Sequence, residues 1–162
     1  MKKGFLIAAG IVLVIAIVFR KQLSDWLTVS AAAGLDSFQG APRGITSVVH
    51  DNGQVLGESI AGVDRKTGTM YVNVPMVDKM KLGKDELVFI MLHEMGHMVL
   101  QTSDEKAVDR WAHKEYLRRG YSPKKSVYAL TNILRFNKRE DFDRSMAQLN
   151  RAQLYDNGQK NI

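Results

Sequence analysis

The stretch from Leu87 to Leu100 constrains this chain more than any other. It reads Leu-Val-Phe-Ile-Met-Leu-His-Glu-Met-Gly-His-Met-Val-Leu, apolar almost all round, yet it carries His93, Glu94 and His97. Such a segment reads as a buried helix, here Lys84 to Leu100. Residues four apart stand on one helix face, about 6 Å apart along the axis. Two imidazoles so placed can converge on one Zn²⁺ at about 2.0–2.1 Å each. Glu94 lies roughly 100° further round the helix. From there it reaches a water on the open side of the ion, where a general base belongs. The plain alternative makes all three ordinary core or surface residues. A buried helix argues against that, because unpaired buried polar groups are costly.

A catalytic zinc ion typically takes three protein ligands and leaves its fourth position to water. Glu105 and Asp109 are again four apart, on a helix predicted over Ser103 to Arg119. Glu105 is the candidate third ligand, and Asp109 the carboxylate that accepts the free ring N–H of His93 or His97. Two readings compete for these positions. Glu105 could instead close a capping box on Thr102, unless Ser103 is the cap, and Asp104 is a rival ligand about 100° away.

His93-Glu94-Met95-Gly96-His97 followed by Glu105-x-x-x-Asp109-Arg-Trp-Ala resembles the gluzincin metallopeptidases. The Glu-x-x-x-Asp pattern is similar to that of thermolysin and of membrane-anchored bacterial zinc peptidases. The resemblance implies one Zn²⁺ per chain on His93, His97 and Glu105, Glu94 as the base, and Asp109 supporting a histidine. Only seven residues separate His97 from Glu105, far fewer than in thermolysin. That compactness looks more like the small ImmA/IrrE-type peptidases, although their usual Asn is Asp109 here. The similarity covers about Thr69 to Tyr116.

Lys2-Lys3 precede a run from Gly4 to Phe19 with no charged or strongly polar residue, and Arg20-Lys21 follow. As a helix the run spans about 24 Å, short of a roughly 30 Å hydrocarbon core. Flanking Lys and Arg snorkel to make up the difference. Residues 4–19 are therefore expected to be a retained single-pass anchor in the lipid bilayer. A cleaved signal peptide ending at Ala31-Ala32-Ala33 is the competing reading, against which stand the charges and bulk from Arg20 to Trp26. The small positive excess at the N-terminus orients the domain outwards. The expected location is a bacterial inner membrane or a viral membrane, with the catalytic domain on the periplasmic or extracellular side.

The net charge is +6 and the basic residues are mixed with acids, so nucleic-acid binding is not favoured. No cysteine is present, which excludes disulfides and thiolate metal sites. The organisation expected is an anchor and juxtamembrane turn over 1–27, a linker over 28–44, a zincin-like domain over 45–156 and a loose tail over 157–162.

The fold class expected is α+β, with the transmembrane helix, a small antiparallel sheet and a helical zincin core. Ile45 to His50 and Val55 to Val63 are expected to pair through an Asp51-Asn-Gly53 hairpin. Thr69 to Val74 is the third strand, and its Tyr71 to Val74 portion is a candidate edge for an extended peptide. A short helix over Met76 to Leu82 should close at Gly83. Another should run from Ser122-Pro123 to about Phe136. The last, Arg139 to Tyr155, should turn Phe142, Met146 and Leu149 inward. Gly96 inside the metal helix points to close packing there. The oxyanion donor stays unassigned among His50, Tyr71, His113, Tyr116, Tyr121 and Tyr128, with His113 read more simply as a partner of Asp109.

These features predict a membrane-anchored zinc metallopeptidase acting on a peptide or protein. A non-catalytic subunit of a membrane assembly or membrane-containing virion, and an endopeptidase for peptidoglycan stem peptides, are the alternatives.

Overall fold

The computed structural model describes residues 45–134 and 138–158. The anchor, the linker and the last four residues of the tail lie outside them, as does the expected end of the fourth helix near Phe136. Among the described residues no helix is long and apolar enough to cross a membrane.

The fold is α+β. Three strands, β1 (Ser47–Asp51), β2 (Ala61–Asp64) and β3 (Thr69–Asn73), precede five helices. The helices are α1 (Val74–Lys79), α2 (Lys84–Leu100), α3 (Glu105–Arg118), α4 (Pro123–Ile133) and α5 (Arg139–Asp156). The sheet is mixed, which corrects the antiparallel expectation. Its order is β1-β3-β2, with β1 parallel and β2 antiparallel to β3.

The expected hairpin fails because Asp51 is used differently. Its carboxylate accepts the backbone N–H groups of Gln54, Val55 and Leu56 at 3.0, 3.1 and 2.9 Å. Those bonds curl the chain into consecutive turns instead of returning it beside β1. Val55 is 64% exposed, and β2 starts only at Ala61. The excursion carries β2 past β3, which becomes the central strand. Tyr71 to Val74 is therefore no edge; β2 presents a sheet edge instead.

Asn73 ends β3 and starts α1. Its amide donates to Gly57 O at 2.8 Å, and its carbonyl oxygen accepts Met76 N–H at 3.2 Å. Pro75 sits in the first turn of α1, where a missing N–H costs nothing. Helix α1 ends at Lys79, and Gly83 caps the start of α2 rather than the end of α1.

Helix α2 is the core. Phe89, Ile90, Met91, Leu92 and Met95 are sealed from water, against β2 on one side and α3 and α4 on others. Gly96 fits the close approach expected of it: a Cβ there would lie 2.9 Å from Val108 Cγ1 and 3.1 Å from Trp111.

Helix α5 reverses the expected orientation. Phe142, Met146 and Leu149 are exposed, while Arg144, Gln148 and Ala152 are buried. The cause lies across the interface. Asp109 on α3 is 1% exposed, and a buried carboxylate needs a cation or donors. Arg144 supplies both, so the polar face of α5 turns inward.

Candidate metal centre

Gln101 ends α2 in the left-handed region, at φ +52°. The chain then doubles back, and the short gap to Glu105 becomes a tight corner. Neither Thr102 nor Ser103 caps α3. Asp104 does, accepting Lys106 N–H at 3.0 Å and Ala107 N–H at 3.3 Å. Capping consumes the rival ligand and frees Glu105, the first residue of α3, to face α2.

His93, His97 and Glu105 converge. The two histidine Nε2 atoms lie 3.3 Å apart, Glu105 Oε2 is 3.2 Å from His93 Nε2, and Oε1 is 3.5 Å from His97 Nε2. Donors about 2.0–2.2 Å from one tetrahedral ion stand about 3.3–3.6 Å from one another. The three side chains are spaced to that pattern and can hold a metal ion.

The ring nitrogens on the far sides explain the arrangement. His97 Nδ1 donates to Thr102 O at 2.9 Å. His93 Nδ1 stands 3.0 Å from Asp109 Oδ1, a charge contact poorly aligned for a hydrogen bond. With Nδ1 carrying the proton on each ring, two Nε2 lone pairs face each other and a carboxylate. Only a cation between them, a proton or a metal ion, relieves that repulsion. These facing acceptors, which need a proton or a metal ion between them, make the cluster a candidate metal site.

The charges follow. Burial alone would lower the pKa of His93, but contacts with Asp109 and Glu105 and the nearby Glu94 raise it to about 9. Burial pushes Asp109 up, and the bonds from Arg144 and the His93 contact more than reverse this. Glu105 is held down first by His93, against burial, and then by Arg144. Glu94 is raised by burial despite the pull of both histidines.

Arg144 is the component that sequence reasoning missed. Its Nε and Nη2 donate to Asp109 Oδ2 and Oδ1 at 2.7 and 2.9 Å, and Nη2 also stands 3.0 Å from Glu105 Oε2. One guanidinium thus steadies both Glu105 and the carboxylate beside His93. One turn on, Gln148 donates to His113 Nδ1 and to Ser126 Oγ, each at 2.8 Å. Arg144 and Gln148 are four apart on α5, as Asp109 and His113 are on α3. That doubled spacing is a sequence signal, visible only once the two helices are known to be neighbours.

The centre opens into a cleft of about 630 Å³. Ile60, Ala61, Met76, Met80 and Ile90 line its apolar part, and Asn132, Ile133, Leu134 and Arg144 bring in α4 and α5. None of the six candidate oxyanion donors lines it. His113 is wholly buried on Ser126 and Gln148 instead of Asp109. Tyr116 is buried against Phe89 and stacked on Tyr121, Tyr128 borders a different cavity, and His50 and Tyr71 belong to the sheet.

Compared with protein-family models, curated proteins and solved structures, the chain matches none.

Proposed function

We propose that this chain is a gluzincin-like zinc metallopeptidase, tethered to a membrane through residues 4–19. The observation that carries the reading is Glu94 in the cleft beside His93, His97 and Glu105. A site with only a structural metal has no use for a further carboxylate in the cleft beside it. Zinc held by His93, His97 and Glu105 would supply an acidified water and a polarised carbonyl. Glu94 would serve as the base that accepts a proton from water and as the acid that gives it to the departing amine. Thr102 O accepts from His97 Nδ1 and so keeps its Nε2 lone pair forward, while the Asp109 charge stands beside His93 Nδ1. Ile60 and Ala61, at the start of β2, bring a sheet edge to the cleft, along which an extended peptide can add as a strand.

The Glu94→Gln variant should keep its zinc and lose peptide hydrolysis by at least about 10²-fold. Unimpaired hydrolysis by that variant contradicts the mechanism. The assembly-subunit reading draws on one observation, the exposed Phe142, Met146 and Leu149 of α5. Fixed-stoichiometry partners together with no cleavage of any peptide would favour it.

A further inference from the structure

Attack on a peptide carbonyl leaves negative charge on its oxygen, and a positioned donor lowers that barrier. The side chains that line the cleft offer few donors beyond the histidines: Ser59, Lys79, Asn132 and Arg144. Arg144 has committed Nε and Nη2 to Asp109 and Glu105. Ser59 and Lys79 are exposed, so a hydrogen bond from either competes with bulk water. Asn132 is different. Its Nδ2 is sealed from water and has no acceptor, a costly condition for an amide.

We propose that Asn132 is the missing donor: its side-chain amide hydrogen-bonds the carbonyl oxygen of the bound substrate and the oxyanion that forms from it. The last torsion of an asparagine side chain is broad, so a turn of the amide can bring Nδ2 from its sealed place to the cleft that the residue lines. The hydrogen bond unmade in the free protein is then made in the complex. That difference between free and bound states is what catalysis can use. The position is also fixed, because Asn132 stands on α4, whose Ala129 and Leu130 are buried in the core.

This inference rests on the metal-centre reading, and its test has a readout other than hydrolysis. The full-length chain is loaded with Co²⁺ and titrated with acetohydroxamate, a small metal ligand with a carbonyl oxygen, followed by visible absorption. Asn132→Leu keeps the side-chain volume without the amide, and Asn132→Ala is the second variant should the first not fold. The expected result is unchanged cobalt content with hydroxamate binding weakened about tenfold or more. Affinity within twofold of the parent overturns the assignment. Wild-type protein that takes no cobalt overturns the metal reading and this inference with it. Hydroxamate binding that depends on Asn132, in a chain that cleaves no library of quenched peptides, overturns the peptidase reading alone.

Discussion

Arg144 holds two carboxylates at once, and its removal separates charge pairing from metal binding. Arg144→Met leaves Asp109 buried without its cation, which should cost about 3–5 kcal/mol in denaturant unfolding. It should also weaken zinc binding about 10–100-fold, because Asp109 then no longer fixes the His93 ring. Loss of stability with unchanged zinc affinity would show that Arg144 is structural only. His93 gives a pH prediction with a definite sign. Its pKa is raised from 6.5 to about 9, so with a chelator present its protonation stabilises the fold fully below pH 6.5. That contribution, of the order of a few kcal/mol at most, is lost as pH rises through 9. Zinc must displace the same proton, so its affinity should rise up to about tenfold per pH unit until pH 9. Thermal unfolding with chelator and competitive zinc titrations check the two opposite slopes.

Among the elements, α2 was readable from sequence to its last residue, because an apolar run bounded by Gly83 and a polar break leaves little choice. Helix α5 was readable in extent but not in orientation. Its apolar residues formed an apparent inward stripe, and only the buried Asp109 and His113 on α3 reveal why the polar stripe faces in. The sheet misled for a similar reason, since Asp51 looked like a turn residue but caps a longer excursion. These are tertiary demands, and no local pattern announces them. The reversed α5 has a sharp test. Phe142→Ser and Met146→Ser should each change stability by no more than about 0.5 kcal/mol. Gln148→Leu should cost about 1–3 kcal/mol by stranding His113 and Ser126. The opposite ranking in urea unfolding would restore the apolar-in orientation. Gly96→Ala gains about 1 kcal/mol of helix propensity but pushes on Val108 and Trp111. Overpacking of that kind costs about 1–3 kcal/mol, and it should loosen zinc as well by shifting α3.

At the scale of the whole molecule, the three candidate ligands and the candidate base come from two adjacent helices, α2 and α3, and α5 adds Arg144 to Asp109 and Glu105. The clustering of His93, His97 and Glu105 was readable because metal chemistry demands fixed residue types at short spacing. The places of Arg144 and Asn132 were not, because they depend on how α4 and α5 pack beside the cleft. Asp109 stands beside His93 Nδ1 as a charge contact without the expected hydrogen bond, and Thr102 O accepts from His97. The central claim is that this compact corner holds one zinc ion. The most direct measurement is metal content by mass spectrometry on the purified full-length chain beside its Glu105→Ala variant. The account predicts about one zinc per chain in the parent, lost or greatly weakened in the variant. A folded parent that holds no zinc, or a variant that holds it equally well, would contradict it.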